Sequence, residues 1–63
     1  MSFTSDESKA RLQLIYAVQK LGFKFREVVE IIDKEVESYG SNQNAFDDLP
    51  HIEMRLKEKL NKI

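Results

Sequence analysis

The sequence predicts a small all-α domain, and three observations carry that prediction. Apolar residues recur at three- and four-residue spacings in three separate segments. The two glycines, Gly22 and Gly40, fall where two of those segments end. Strand-like alternation does not persist over four residues anywhere outside the helical patterns. The expected architecture spans residues 1–63 as a single three-helix domain: helix, glycine turn, helix, loop, third helix. Dimerisation is an open alternative.

The first helix is expected to begin at Ser5. Thr4-Ser5-Asp6-Glu7 has the form of a capping box, in which the Thr4 hydroxyl accepts the Glu7 amide and the Glu7 carboxylate reaches back to the Thr4 amide. Asp6 and Glu7 also place negative charge at the positive end of the helix dipole. At ~100° per residue, Ala10, Leu14, Ala17, Val18 and Leu21 form one stripe. Leu12, Ile15 and Tyr16 lie outside it. A helix covering a core from one side does not need apolar residues on most of its circumference, so this one is either sandwiched between two elements or part of an interface. Gly22 suits the position after the last turn, where a left-handed backbone is needed.

The second helix is expected from about Phe25 to Tyr39, with Phe25, Val28, Val29, Ile32, Val36 and Tyr39 as its core stripe. Glu30 and Lys34 stand in the favourable i,i+4 order. Lys24 is a poor N-cap, because its side chain offers no acceptor for the free amides. Gly40 closes the helix. Ser41 to Asp48 reads as a polar loop that Phe46 pins to the core, longer than most helix–helix connections.

Asp47 or Asp48 is expected to cap the third helix, with Pro50 in its first turn, where a missing amide proton does no harm. Ile52, Leu56, Leu60 and Ile63 follow one face, and Glu53–Lys57 and Glu58–Lys62 are ordered i,i+4 pairs. The stripe is still apolar at Ile63. Such a helix either opens a coiled-coil strand or pairs with another copy, or it folds back onto the first two helices.

Composition narrows the functional classes. With 63 residues, a domain buries only about 60% of its unfolded surface. Its core supplies roughly 3–5 kcal/mol, so assembly with another chain is a candidate source of stability. The absence of cysteine excludes disulfides and thiolate metal sites. At 41% hydrophobic and 33% charged, the chain is too apolar to be disordered. Its longest apolar run, Leu14 to Val18, is far short of a membrane span. MSFTSDESK lacks the basic and apolar regions of a signal peptide, so a cytoplasmic location is expected.

No catalytic site is legible. His51 is the only histidine, and the nearby acids Asp47, Asp48 and Glu53 make a weak ligand set for a metal. It is also the only base that could activate a serine or threonine, and the serines nearest to it lie on loop or terminus. The acids of the second helix are spaced as a solvated face, without the divergent environments that acid/base chemistry needs. Two glycines cannot build a phosphate loop. The expectation is therefore a non-enzyme with no cofactor, no metal and no small-molecule substrate.

Contact residues remain. The net charge of -1 argues against a strongly basic nucleic-acid binder. Binding nonetheless follows local patches. Lys20, Lys24 and Arg26 cluster around Gly22, beside free amides and a dipole that favour an anion. A lysine at the cap position makes more sense if a phosphate supplies the missing acceptor; the plain alternative is that these residues serve solubility.

Phe3-Thr4-Ser5-Asp6-Glu7, Arg11-Leu12, Ile15, Leu21-Gly22-Phe23, Val28, Ile31 and Ile32, followed by Arg55-Leu56 and Leu60, resemble the segment that follows the winged helix in MerR-type regulators. There, a helix pair joined by a Leu-Gly-Phe turn leads into the dimerisation helix. Lys24 and Arg26 stand where that family usually has a serine cap and acids. Nothing in the chain corresponds to the winged helix that reads bases. The resemblance therefore implies an accessory role: a DNA-backbone contact from Lys20, Lys24 and Arg26, and a homodimer through the third helix. Phosphate contacts position a protein without reading sequence.

The Leu-Gly-Phe turn is also similar to that of ubiquitin-associated three-helix domains, which implies a pure protein-interaction module. On that reading Phe23 and Phe25 at the turn, with the third helix, form the docking patch. Taken together with the surplus on the first helix, the candidate partner-binding residues are Leu12, Ile15, Tyr16, Phe23, Phe25, Leu56, Leu60 and Ile63.

Overall fold

The computed structural model describes residues 5–61, and it is all-helical there: α1 (Ser5–Lys20), α2 (Phe25–Tyr39), α3 (Asn42–Asp47) and α4 (Leu49–Asn61). The three expected helices are present at the expected places. The addition is α3, a six-residue helix within the segment read as a loop. The Thr4–Glu7 capping box and the apolar end at Ile63 lie outside the described residues.

The core is aliphatic. Leu14 and Val18 of α1, Val28 and Ile32 of α2, Ala45 of α3, and Ile52 and Leu56 of α4 form one buried cluster. Among the described residues no polar or charged residue is fully buried. Leu21, Phe23, Ile31, Val36, Tyr39, Phe46 and Leu49 pack around this cluster, so Phe46 does pin its segment to the core. The third expected helix, α4, folds back onto the others through Ile52 and Leu56. Phe25, read as part of the α2 core stripe, is instead 60% exposed. It opens the helix, almost a full turn before the first buried residue, Val28.

Both glycines do conformational work. Gly22 has φ 119° and Gly40 φ 96°, a region that side-chain-bearing residues rarely enter. At each, the backbone leaves a helix and turns sharply. The Gly40 amide donates to the Val36 carbonyl at 2.7 Å, satisfying one of the last acceptors of α2.

The short helix is held by its own cap and by a carboxylate from α1. Ser41 Oγ accepts the Asn44 amide at 3.1 Å as an N-cap. From α1, the two Glu7 carboxylate oxygens accept the Asn42 and Gln43 amides at 3.1 and 2.9 Å. Glu7 thus supplies negative charge to the start of a helix 35 residues further along the chain. The Asn44 side-chain amide donates to the Tyr39 carbonyl at 3.2 Å. Ala45, fully buried, lets α3 lie close against α1.

A second polar cluster fixes α4. Asp48 precedes that helix, and its backbone carbonyl accepts the His51 and Ile52 amides at 3.1 Å. Its carboxylate accepts the Tyr39 hydroxyl from the end of α2. Arg55 forks across Glu35 at 3.2 and 3.0 Å and donates to Tyr39 Oη at 3.3 Å. Another interhelical ion pair, Arg11–Asp33, spans α1 and α2 at 2.7 Å. Among the described residues the expected Glu30–Lys34 and Glu53–Lys57 pairs do not close. Long exposed side chains gain little from such pairing in water.

Two expectations follow. Glu7→Ala leaves the first amides of α3 without their acceptor, so stability should fall by about 1–2 kcal/mol, measured by urea unfolding. The hydrogen bond to Asp48 raises the Tyr39 hydroxyl above its ordinary value of 10.0, burial and the Asp48 charge act in the same direction, and Arg55 opposes them. A pKa raised by folding gives stability that is complete below the unfolded value and lost as pH climbs through the folded one. The stability advantage of the wild type over Tyr39→Phe should therefore shrink above about pH 10, which paired thermal melts at neutral and alkaline pH would read.

Candidate interaction surface

The sequence places apolar residues on two sides of α1, and the fold covers only one of them. Ala10, Leu14 and Val18 are buried, while Leu12 is 66% and Tyr16 62% exposed. At ~100° per residue Leu12 points almost directly away from the buried stripe, with Tyr16 one turn further along the same outward side. Ile15 lies between the two sides, half-buried and packed on the core cluster. α1 contacts α2, α3 and α4, yet none of them reaches round to Leu12 and Tyr16.

Two shallow depressions flank these residues. One runs towards the start of α3, between Arg11, Leu12, Ile15 and Asn42. The other lies between Leu12, Gln13, Ile15, Tyr16 and Gln19. The Lys20 ammonium sits 5.4 Å from the centroid of the Tyr16 ring, within cation–π range.

The remaining candidate residues divide. Phe23 is half-buried and, with Ile31, Leu56 and Leu60, floors a groove between α2 and α4 rimmed by Glu27, Glu30, Lys34 and Lys59. Leu56 is only 3% exposed. Expected to bind a partner, it is a core residue, because the face that would continue a dimer helix turns inward onto α1 and α2. Leu60 is half-buried, and Ile63 lies outside the described residues. Phe25 stands exposed at the Gly22 turn. Met54 on α4, which sequence reasoning passed over, is 61% exposed; a single methionine among charges carries no periodic signal.

At the turn, Lys20, Lys24 and Arg26 are all exposed, and among the described residues neither Lys24 nor Arg26 forms an ion pair. The cap position is occupied differently from expectation. The Glu27 carboxylate reaches back to accept the Lys24 amide at 3.1 Å. This acid, three residues into α2, brings negative charge to the helix start.

His51 is exposed beside Asp48 at 3.4 Å. Among the described residues no group of three or more His, Cys, Asp or Glu side chains is placed to hold a metal ion, and no helix is long and apolar enough to cross a membrane. Comparison with protein-family models, curated proteins and solved structures gave no match.

A pair of substitutions separates the two sides of α1. Leu12→Ser and Tyr16→Ser should each leave stability within about 0.5 kcal/mol of the parent, whereas Leu14→Ala should cost about 2–5 kcal/mol. Circular dichroism during chemical unfolding measures both.

Proposed function

We propose that this chain is a small helical regulatory module that acts in the cytoplasm by binding another protein through the outward side of α1. The observation that carries the reading is the exposure of Leu12 and Tyr16 on the side of α1 that the fold leaves bare. Exposed apolar residues scattered singly are normal, but neighbouring ones on one helix face mark contact surfaces. An exposed tyrosine in an apolar patch with a polar rim matches the aromatic enrichment of interface centres.

The test is site-specific photo-crosslinking in the cells that make the protein. A photoreactive residue at position 12 or 16 should capture a defined protein, and the same residue at Lys57 should not. Capture of nothing at either α1 position would end this reading.

A second reading is favoured by the exposed cations Lys24 and Arg26, which lack an ion-pair partner. It follows the MerR-type resemblance: contact of the Gly22 turn with the DNA backbone in a transcription-regulating assembly. The Glu27 carboxylate at the same helix start and the net charge of -1 weigh against it. Titration into duplex DNA separates the two. Backbone binding weakens steeply with added salt and should vanish in Lys24→Glu, while the protein-binding reading expects no binding at moderate salt.

A further inference from the structure

We infer that the partner element received by the outward side of α1 is an amphipathic helix bearing acidic residues, an inference that rests on the protein-binding reading above. The outward side of α1 consists of Ser8, Lys9, Leu12, Tyr16, Gln19 and Lys20, all exposed. It contains no carboxylate. Of the acids of the same helix, Glu7 accepts the α3 amides, and the exposed Asp6 lies about 120° round the axis from Leu12, on the far side of Lys9. Arg11, the remaining cation of α1, is paired with Asp33. Lys9 and Lys20 therefore frame the apolar pair, one at each end, about 16 Å apart along the axis at 1.5 Å per residue. The contact of Lys20 with the Tyr16 ring keeps that cation on this side.

The charge pattern argues against a second copy of the same chain as occupant. Antiparallel pairing of two α1 helices, with Leu12 against Tyr16 in both directions, sets Lys9 of one copy beside Lys20 of the other. Parallel pairing sets Lys9 against Lys9. Either register brings like charges together, which costs affinity and suppresses that partner. A helix carrying leucines flanked by glutamates meets the same surface with opposite charge at both ends and an apolar stripe between them.

The test uses the purified chain and an end-blocked helical peptide of about 16 residues with a leucine stripe bordered by glutamates. A matched peptide carries lysines in place of the glutamates. Binding is read by fluorescence anisotropy at low and moderate salt. The glutamate peptide should bind at least about tenfold more tightly than the lysine peptide, a difference that added salt reduces. Leu12→Ser should abolish binding. The double variant Lys9→Glu, Lys20→Glu should reverse the preference between the two peptides while its melting curve stays that of a folded chain.

Equal binding of both peptides, or failure of the double variant to reverse the order, overturns the inference. So does the absence of glutamate-peptide binding, or a concentration-dependent dimer of the chain alone that Leu12→Ser dissolves in sedimentation. A protein captured at position 12 in cells together with no acidic-peptide binding would leave the proposed function standing and remove only the acidic partner.

Discussion

Glu7 donates no bulk to the core, yet its carboxylate joins two parts of the chain that the rest of the fold needs together. By accepting the first amides of α3, it seats a six-residue helix that touches each of the other three. A helix this short does not persist alone in water, since nucleation costs more than one turn returns. Its stability comes from Ser41 and Glu7 at its start and from burial of Ala45. With α3 seated, the chain between Gly40 and Pro50 is compact, and Ile52 and Leu56 of α4 join the cluster around Leu14 and Ile32.

The polar connections follow a division of labour. The buried centre holds only aliphatic side chains, so it supplies cohesion with little direction. Direction comes from hydrogen bonds at the edges: Glu7 to α3, Tyr39 to Asp48, Arg55 to Glu35 and Tyr39. Each joins elements that are distant in sequence and adjacent in space. Exposed ion pairs contribute little cohesion of their own, but the fork of Arg55 on Glu35 ties α4 to α2 in the orientation in which Leu56 faces inward.

The proposed contact surface lies where the fold stops covering apolar residues, at Leu12 and Tyr16. In a chain of this size the core cannot wrap a helix completely, and α1 is left with a leucine and a tyrosine in water. The turn at Gly22 had the more conspicuous cluster of cations, but Glu27 already serves the helix start there. The α1 surface instead offers apolar area with cations at its margins and no internal acid. These are the attributes of a surface that gains by contact with a complementary helix.

Much of this was legible from residue order alone. The bounds of α1 and α2 follow from Gly22, Gly40 and the 3.6-residue apolar period, because local backbone preference and amphipathicity agree there. The surplus of Leu12, Ile15 and Tyr16 on α1 was equally visible, since periodicity counts faces. Tertiary structure decided what periodicity cannot express. Ser41 ahead of Ala45 and Phe46 was the available signal for α3, but so short a helix depends on Glu7, whose role requires a contact between residues far apart in the chain. Leu56 read as an interface residue because an apolar stripe looks the same whether it faces a core or a partner. Only the packing of α4 against the other helices chose between them, and only the finite reach of those helices left Leu12 and Tyr16 bare.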